Sequence, residues 1–194
     1  MEQVRSFVAV ELPGELKDEL LELNGRLRAA GHSGVRWVDP RGIHLTLKFL
    51  GDVSVDRLDD ITAALTKATQ GISPFKLEVG GLGVFPNPRR VRVAWVGMSG
   101  EIDKLQHLQQ QVESSLAGIG FPAESRGFTP HLTLARVREQ AAPDERQSFG
   151  HLITSTDFKA GHNIMVDAVF LMRSQLTRQG AVYSQLRSVR LGED

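Results

Sequence analysis

His44-Leu45-Thr46-Leu47 and His131-Leu132-Thr133-Leu134 are one tetrapeptide written twice, 87 residues apart in a chain of 194. Two such copies in a chain of this length point to an internal duplication. Each copy alternates polar and apolar residues. On a β-strand, residues two apart share a face, so each presents an imidazole and a hydroxyl together while its leucines enter a core. The first copy continues this alternation through Ile43–Leu50, placing Ile43, Leu45, Leu47 and Phe49 on one side and His44, Thr46 and Lys48 on the other. The second places His131, Thr133 and Ala135 opposite Leu132 and Leu134.

Outward from these strands, helical and extended patterns alternate. Val4–Leu12 reads as a strand closed by Pro13. Glu15–Ala30 carries Leu16, Leu20, Leu23 and Leu27 at helical spacing and stops at Gly31. Val35–Val38 reads as a short strand before the Asp39-Pro40-Arg41-Gly42 turn. Ser54 is placed to cap a helix bearing Leu58, Ile61, Leu65 and Ala68. Phe75–Val84 and Val91–Val96 read as strands, and Glu101–Leu116 as a helix with Ile102, Leu105, Leu108, Val112 and Leu116 on one face. Arg138–Gly161 reads as a loop around a short helix. Ala168–Leu176 and Ala181–Leu191 form a hairpin turned at Thr177-Arg178-Gln179-Gly180. Strands mixed with few helices and hairpin signals indicate an α+β fold.

Composition narrows the function. The chain has no cysteine, which excludes a disulfide framework, a thiol nucleophile and a thiolate zinc site, and fits a cytoplasmic location. Twenty-three basic residues balance 23 acidic ones, so any nucleic-acid contact is local rather than a matter of bulk charge. No apolar run is long enough for a membrane span. The opening Met1–Arg5 lacks the layout of a secretory signal, and the mature protein is expected to begin there.

A single histidine on the polar face of a strand is ordinarily a surface residue. Two, each followed by the same threonine, suit phosphodiester hydrolysis. One neutral imidazole takes a proton from the attacking water, and one protonated imidazole gives a proton to the leaving oxygen. The hydroxyls donate to phosphoryl oxygens. A zinc site would need a third ligand that the motifs do not supply. His32, His107, His151 and His162 lack this context and read as surface residues. Arg126, Arg136 and Arg138 flank the second copy, and Arg89, Arg90 and Arg92 follow a Pro-rich loop. Arg136 poses a conflict. It lies five residues after His131, an odd offset that turns it away from the imidazole on a regular strand. It reaches the same face only through a bulge or at the strand end. Phe7, Trp37, Phe128 and Tyr183 are of a type that stacks nucleobases, but core or rim packing is the favoured reading. Gly80–Gly83 lacks a nucleotide-binding pattern.

The paired H-x-T-x motifs resemble those of the 2H phosphoesterase superfamily, in particular its RNA 2′,3′-cyclic phosphodiesterases, first called 2′-5′ RNA ligases. The likeness extends over Arg5–Pro13, His44–Gly51, Gly81–Pro86 with Asn87-Pro88-Arg89-Arg90, Phe128–Arg136, and Ser174, Leu176 and Tyr183. It implies one bilobal α+β domain over residues 1–194, with pseudo-twofold-related antiparallel sheets and a central cleft. It implies that a 2′,3′-cyclic phosphate opens to a 2′-phosphomonoester with no metal or other cofactor. The superfamily's proton donor falls on His44 and its proton acceptor on His131. Its phosphate-binding threonines fall on Thr46 and Thr133, and a basic residue at the phosphate falls on Arg136, which favours the bent strand. The expected substrates are RNA ends or small cyclic nucleotides, handled by a monomer with no obligate protein partner. Ligation by the reverse reaction, a binding module without turnover, and a structural protein with coincidental repeats are the alternatives. Both histidines are intact, contrary to what a module without turnover would show.

Overall fold

Each copy of the tetrapeptide leads into a strand of its own sheet. In the computed structural model, which describes residues 2–178 and 180–192, the chain runs β1 (Gln3–Val10), α1 (Gly14–Arg28), β2 (Val35–Trp37), β3 (Leu45–Ser54), α2 (Leu58–Thr69), β4 (Phe75–Phe85), β5 (Val93–Gly100), α3 (Ile102–Ala117), β6 (Leu132–Val137), α4 (Pro143–Thr154), β7 (Ile164–Val166), β8 (Ala168–Thr177) and β9 (Gly180–Arg190). One sheet has the order β3-β1-β8-β9 and the other β2-β6-β5-β4-β7. All pairings are antiparallel. The α+β class and two-sheet plan follow the expectation.

The two sheets repeat one arrangement. In each, the motif strand lies beside the opening strand of its own half of the sequence, β1 or β5. That strand lies in turn beside one donated by the other half, β8 or β4. Neither half of the sequence therefore completes a sheet alone. The helices bury the leucines that their spacing singled out: Leu16, Leu20, Leu23 and Leu27 in α1, Ile61 and Leu65 in α2, Leu105, Leu108, Val112 and Leu116 in α3. These join the inner residues of both sheets in one continuous core. Each fully buried leucine contributes roughly 1.5–3 kcal/mol relative to exposure.

Some expectations change. Ser54 makes no side-chain cap; a short 3-10 turn over Val55–Arg57 intervenes, and the Ser54 hydroxyl bonds the Asp56 carboxylate instead. Residues 138–161 contain a full three-turn helix, α4, whose buried residues are only Phe149, Gly150 and Ile153. So few apolar positions left no periodic signal. Strand β7 is too short to show a pattern at all. The β8–β9 hairpin forms as read, with Gln179 of its turn lying outside the described residues.

Candidate active site

A bulge in each motif strand decides which side chains face the space between the sheets. Along β1 and β3, Val8 pairs with Lys48 but Ala9 pairs with Thr46, leaving Leu47 as the extra residue. Along β5 and β6, Ala94 pairs with Ala135 but Trp95 pairs with Thr133, leaving Leu134 as the extra residue. Leu47 and Leu134 are the last residues of the two tetrapeptides. An extra residue reverses the in–out parity of the residues that follow it, in β3 as far as a second irregularity at Leu50. Lys48 and Ala135 are consequently buried, whereas Phe49 and Arg136 are exposed. This corrects the unbroken alternation: Lys48 turns inward, Phe49 joins the side of His44 and Thr46, and Ala135 leaves the side of His131. The same device brings Arg136 round to the face of Thr133.

Two adjoining cavities, about 320 and 230 Å³, lie where the motif strands meet. Both are lined by His44, Thr46, Phe49, Thr133 and Arg136, so they are two arms of one cleft. The first arm adds Arg5, Phe7, Val38, Ser174, Leu176 and Tyr183. The second adds His131 with Gln109, Arg126, Phe128 and Thr129. All five residues singled out from the motifs thus reach the cleft, with His131 bordering the second arm only.

The two imidazoles are held alike. Each precedes its strand by one residue, and each Nδ1 donates to the carbonyl two residues earlier: His44 to Gly42 at 2.8 Å and His131 to Thr129 at 2.7 Å. A carbonyl oxygen only accepts, so the proton sits on Nδ1 and Nε2 is the exchangeable position of each ring. Aromatic edges fix the ring planes. Phe7 and Tyr183 meet His44 at centroid distances of 5.9 and 5.4 Å, and Phe85 meets His131 at 5.2 Å. Phe85 rests in turn on Trp95, whose ring covers Gly83 so closely that a Cβ there would fall 2.2 Å from it. Burial pushes the pKa of His44 below its ordinary value, and the Lys17 ammonium adds to this, against weaker upward pulls from the Gly42 carbonyl and Glu11.

Beneath the cleft, buried Lys48 bonds the Glu113 carboxylate of α3 at 2.7 Å and the Pro122 carbonyl at 2.7 Å. Glu113 also accepts from Gln109 and from the Glu124 amide. These bonds tie β3 to α3 and to the segment leading towards the second arm.

Phe49, Phe85 and the Lys48–Glu113 pair escaped the reading of the sequence, because each depends on a bulge or on a partner distant in the chain. Among the other histidines, His107, His151 and His162 are exposed, and His162 bonds Glu19 of α1. His32 is half-buried against Phe149 and lies 3.2 Å from the Ser148 hydroxyl, so it is not the free surface residue expected. Trp37 packs edge-on against Phe149 as core, whereas Phe7, Phe128 and Tyr183 line the cleft. Among the described residues no group of three or more His, Asp or Glu is arranged to hold a metal ion. No helix there is long and apolar enough to cross a membrane.

The family model described as LigT like Phosphoesterase matches residues 10–95 and again 96–183, one match for each copy of the tetrapeptide. An RNA 2′,3′-cyclic phosphodiesterase of Methanothermobacter thermautotrophicus is 34% identical over 189 residues, covering 97% of this chain and 100% of that protein. A crystal structure from Thermus thermophilus superposes with a TM-score of 0.79 at 29% identity, covering 98% of this chain and 100% of the other. Escherichia coli LigT complexed with 3′-AMP gives 0.76 at 26% identity, covering 99% and 100%.

Proposed function

This chain belongs to the LigT-like phosphoesterase family, and on that premise we propose that its cleft opens 2′,3′-cyclic phosphates at RNA or nucleotide ends to 2′-phosphomonoesters. The observation that carries the reading is the matched presentation of two imidazoles, each with Nδ1 tied to a carbonyl and Nε2 left to exchange a proton, in one cleft with Thr46, Thr133 and Arg136.

Neutral His131 takes a proton at Nε2 from the attacking water as its oxygen bonds to phosphorus. Protonated His44 gives its Nε2 proton to O3′ as the P–O3′ bond breaks, leaving the phosphate on O2′. Thr46 and Thr133 donate to the non-bridging oxygens, and the Arg136 guanidinium holds their charge. The order donor-then-acceptor comes from the family resemblance. Burial disfavours the protonated form of His44 in the free cleft. The incoming phosphodiester anion supplies the opposite charge that restores it. No step in this scheme uses a metal.

Strands donated across the two halves of the sequence support reading residues 1–194 as one domain. The absence of cysteine is the ground for a cytoplasmic reading. The second arm favours a subsidiary activity. A 5′-hydroxyl RNA end entering it in place of water would be joined to the cyclic phosphate through the same transition state.

Incubation with a dinucleotide ending in a 2′,3′-cyclic phosphate, in EDTA, tests the reading. The expected product is the 2′-phosphomonoester, formed at an undiminished rate. A 3′-phosphomonoester, or activity lost in EDTA and restored by zinc or manganese, would overturn it. Excess 5′-hydroxyl RNA then reports ligation.

A further inference from the structure

Arg36 of β2 lies directly opposite Arg136 of β6 in the antiparallel register. Residues directly opposite share a face, with Cβ atoms roughly 4.5–5.5 Å apart, and like charges so placed destabilise the pair. The orientation of Arg36 is set by its neighbours. Trp37 turns inward against buried Phe149, whereas Val38, two residues on from Arg36, lines the cleft with Arg136. Arg138 follows Arg136 by two residues, just past the end of β6, and its amide bonds the Gly34 carbonyl just ahead of β2. All three arginines are exposed. Among the described residues, none of them pairs with a carboxylate. A charge on an edge strand discourages stray strand pairing, but that role calls for one arginine and gives no reason to set a second opposite it. In a chain of zero net charge, three unneutralised guanidiniums running out from one end of the cleft form a local track for anions.

We propose that Arg36 and Arg138 bind the phosphodiester immediately 5′ of the cyclic end, so that the substrate class is an RNA 3′ end rather than a free cyclic mononucleotide. This rests on the cyclic-phosphate reading, in which Arg136 holds the terminal phosphate. The next phosphate of the strand is the nearest anion that covalent geometry delivers beside it. Guanidinium forks suit phosphate oxygens, and contacts to phosphate position a strand without reading its bases.

The test uses two fluorescein-labelled trinucleotides ending in a 2′-phosphate, identical except that one carries a neutral methylphosphonate in place of the phosphodiester next to the end. Binding is followed by anisotropy, alongside turnover by the unaltered protein of a dinucleotide ending in a 2′,3′-cyclic phosphate. The natural linkage should bind about tenfold more tightly than the methylphosphonate, as expected for a charge-assisted contact. Arg36→Gln and Arg138→Gln should each weaken the natural probe and leave the methylphosphonate probe nearly unaffected, with Arg36→Lys falling between. Each substitution should also flatten the salt dependence, the slope of log K against log salt falling by about 0.7 for every phosphate of a single strand no longer neutralised. Equal binding of the two probes, or equal weakening of both by the variants, overturns this inference while the cyclic-phosphate reading stands. Failure of the unaltered protein to turn over the dinucleotide ending in a 2′,3′-cyclic phosphate counts instead against that reading.

Discussion

Phe49 and Arg136 occupy the same position of the two motif strands, each five residues after its histidine and each swung into the cleft by a bulge at the preceding leucine. The backbone repeats, but the chemistry at this position does not: one sheet presents an aromatic ring and the other a guanidinium. In the proposed mechanism, charge at the reacting phosphate is therefore supplied from the side of His131.

Removing that charge should be felt in turnover. Arg136→Gln is expected to lower kcat/KM by about tenfold to a hundredfold, the worth of roughly 1.5–3 kcal/mol for a hydrogen bond to a charged group. Arg136→Lys should recover only part, since an ammonium cannot reproduce the two-pronged contact. Steady-state kinetics on a cyclic dinucleotide decide the point. A near-native rate for the Gln variant would place Arg136 outside the phosphate site.

His44→Ala and His131→Ala should each reduce turnover by roughly a hundredfold to ten-thousandfold, and the double variant should lose little more because both act in one step. A p-nitrophenyl phosphodiester, whose leaving oxygen departs without a proton, should rescue the His44 variant and not the His131 variant. Rescue of the His131 variant alone would reverse the roles, and rescue of neither would make both imidazoles phosphate ligands.

The folded protein holds fewer protons on His44 than the unfolded chain does, because burial, with Lys17 beside it, lowers its pKa from 6.5. Stability from this group is thus complete above that value and is lost as pH falls from it through the folded value. Melting temperatures should show the unaltered protein losing ground to His44→Gln as pH falls across this window. In NMR titrations, orthophosphate in the cleft should raise the His44 pKa. A gap in melting temperature that stays constant with pH would contradict the burial argument.

Lys48 and Glu113 have side-chain exposures of only 2% and 13%. Lys48→Ala strands the carboxylate and should cost roughly 3–5 kcal/mol in urea unfolding. Lys48→Met combined with Glu113→Leu should return most of that loss, since no buried charge is then left unpaired. An exposed-pair cost below about 1 kcal/mol would mean that water reaches the ion pair.

The sequence alone determined the α+β class, the positions of α1, α2 and α3, and the two histidine–threonine pairs. These rest on local periodicity: leucines at 3.6-residue spacing and side chains alternating every second residue leave their mark in the sequence whatever the partner. It also posed the difficulty at Arg136 and the two features that could resolve it. Tertiary structure decided the rest. Whether Leu47 and Leu134 are extra residues depends on what β1 and β5 set opposite them. One such residue turns Lys48 in towards Glu113, turns Phe49 out, and brings Arg136 to Thr133. The pairing of Arg36 with Arg136 likewise joins residues one hundred positions apart. A strand carries its own alternation in its sequence, but its register and its bulges belong to the neighbour it pairs with.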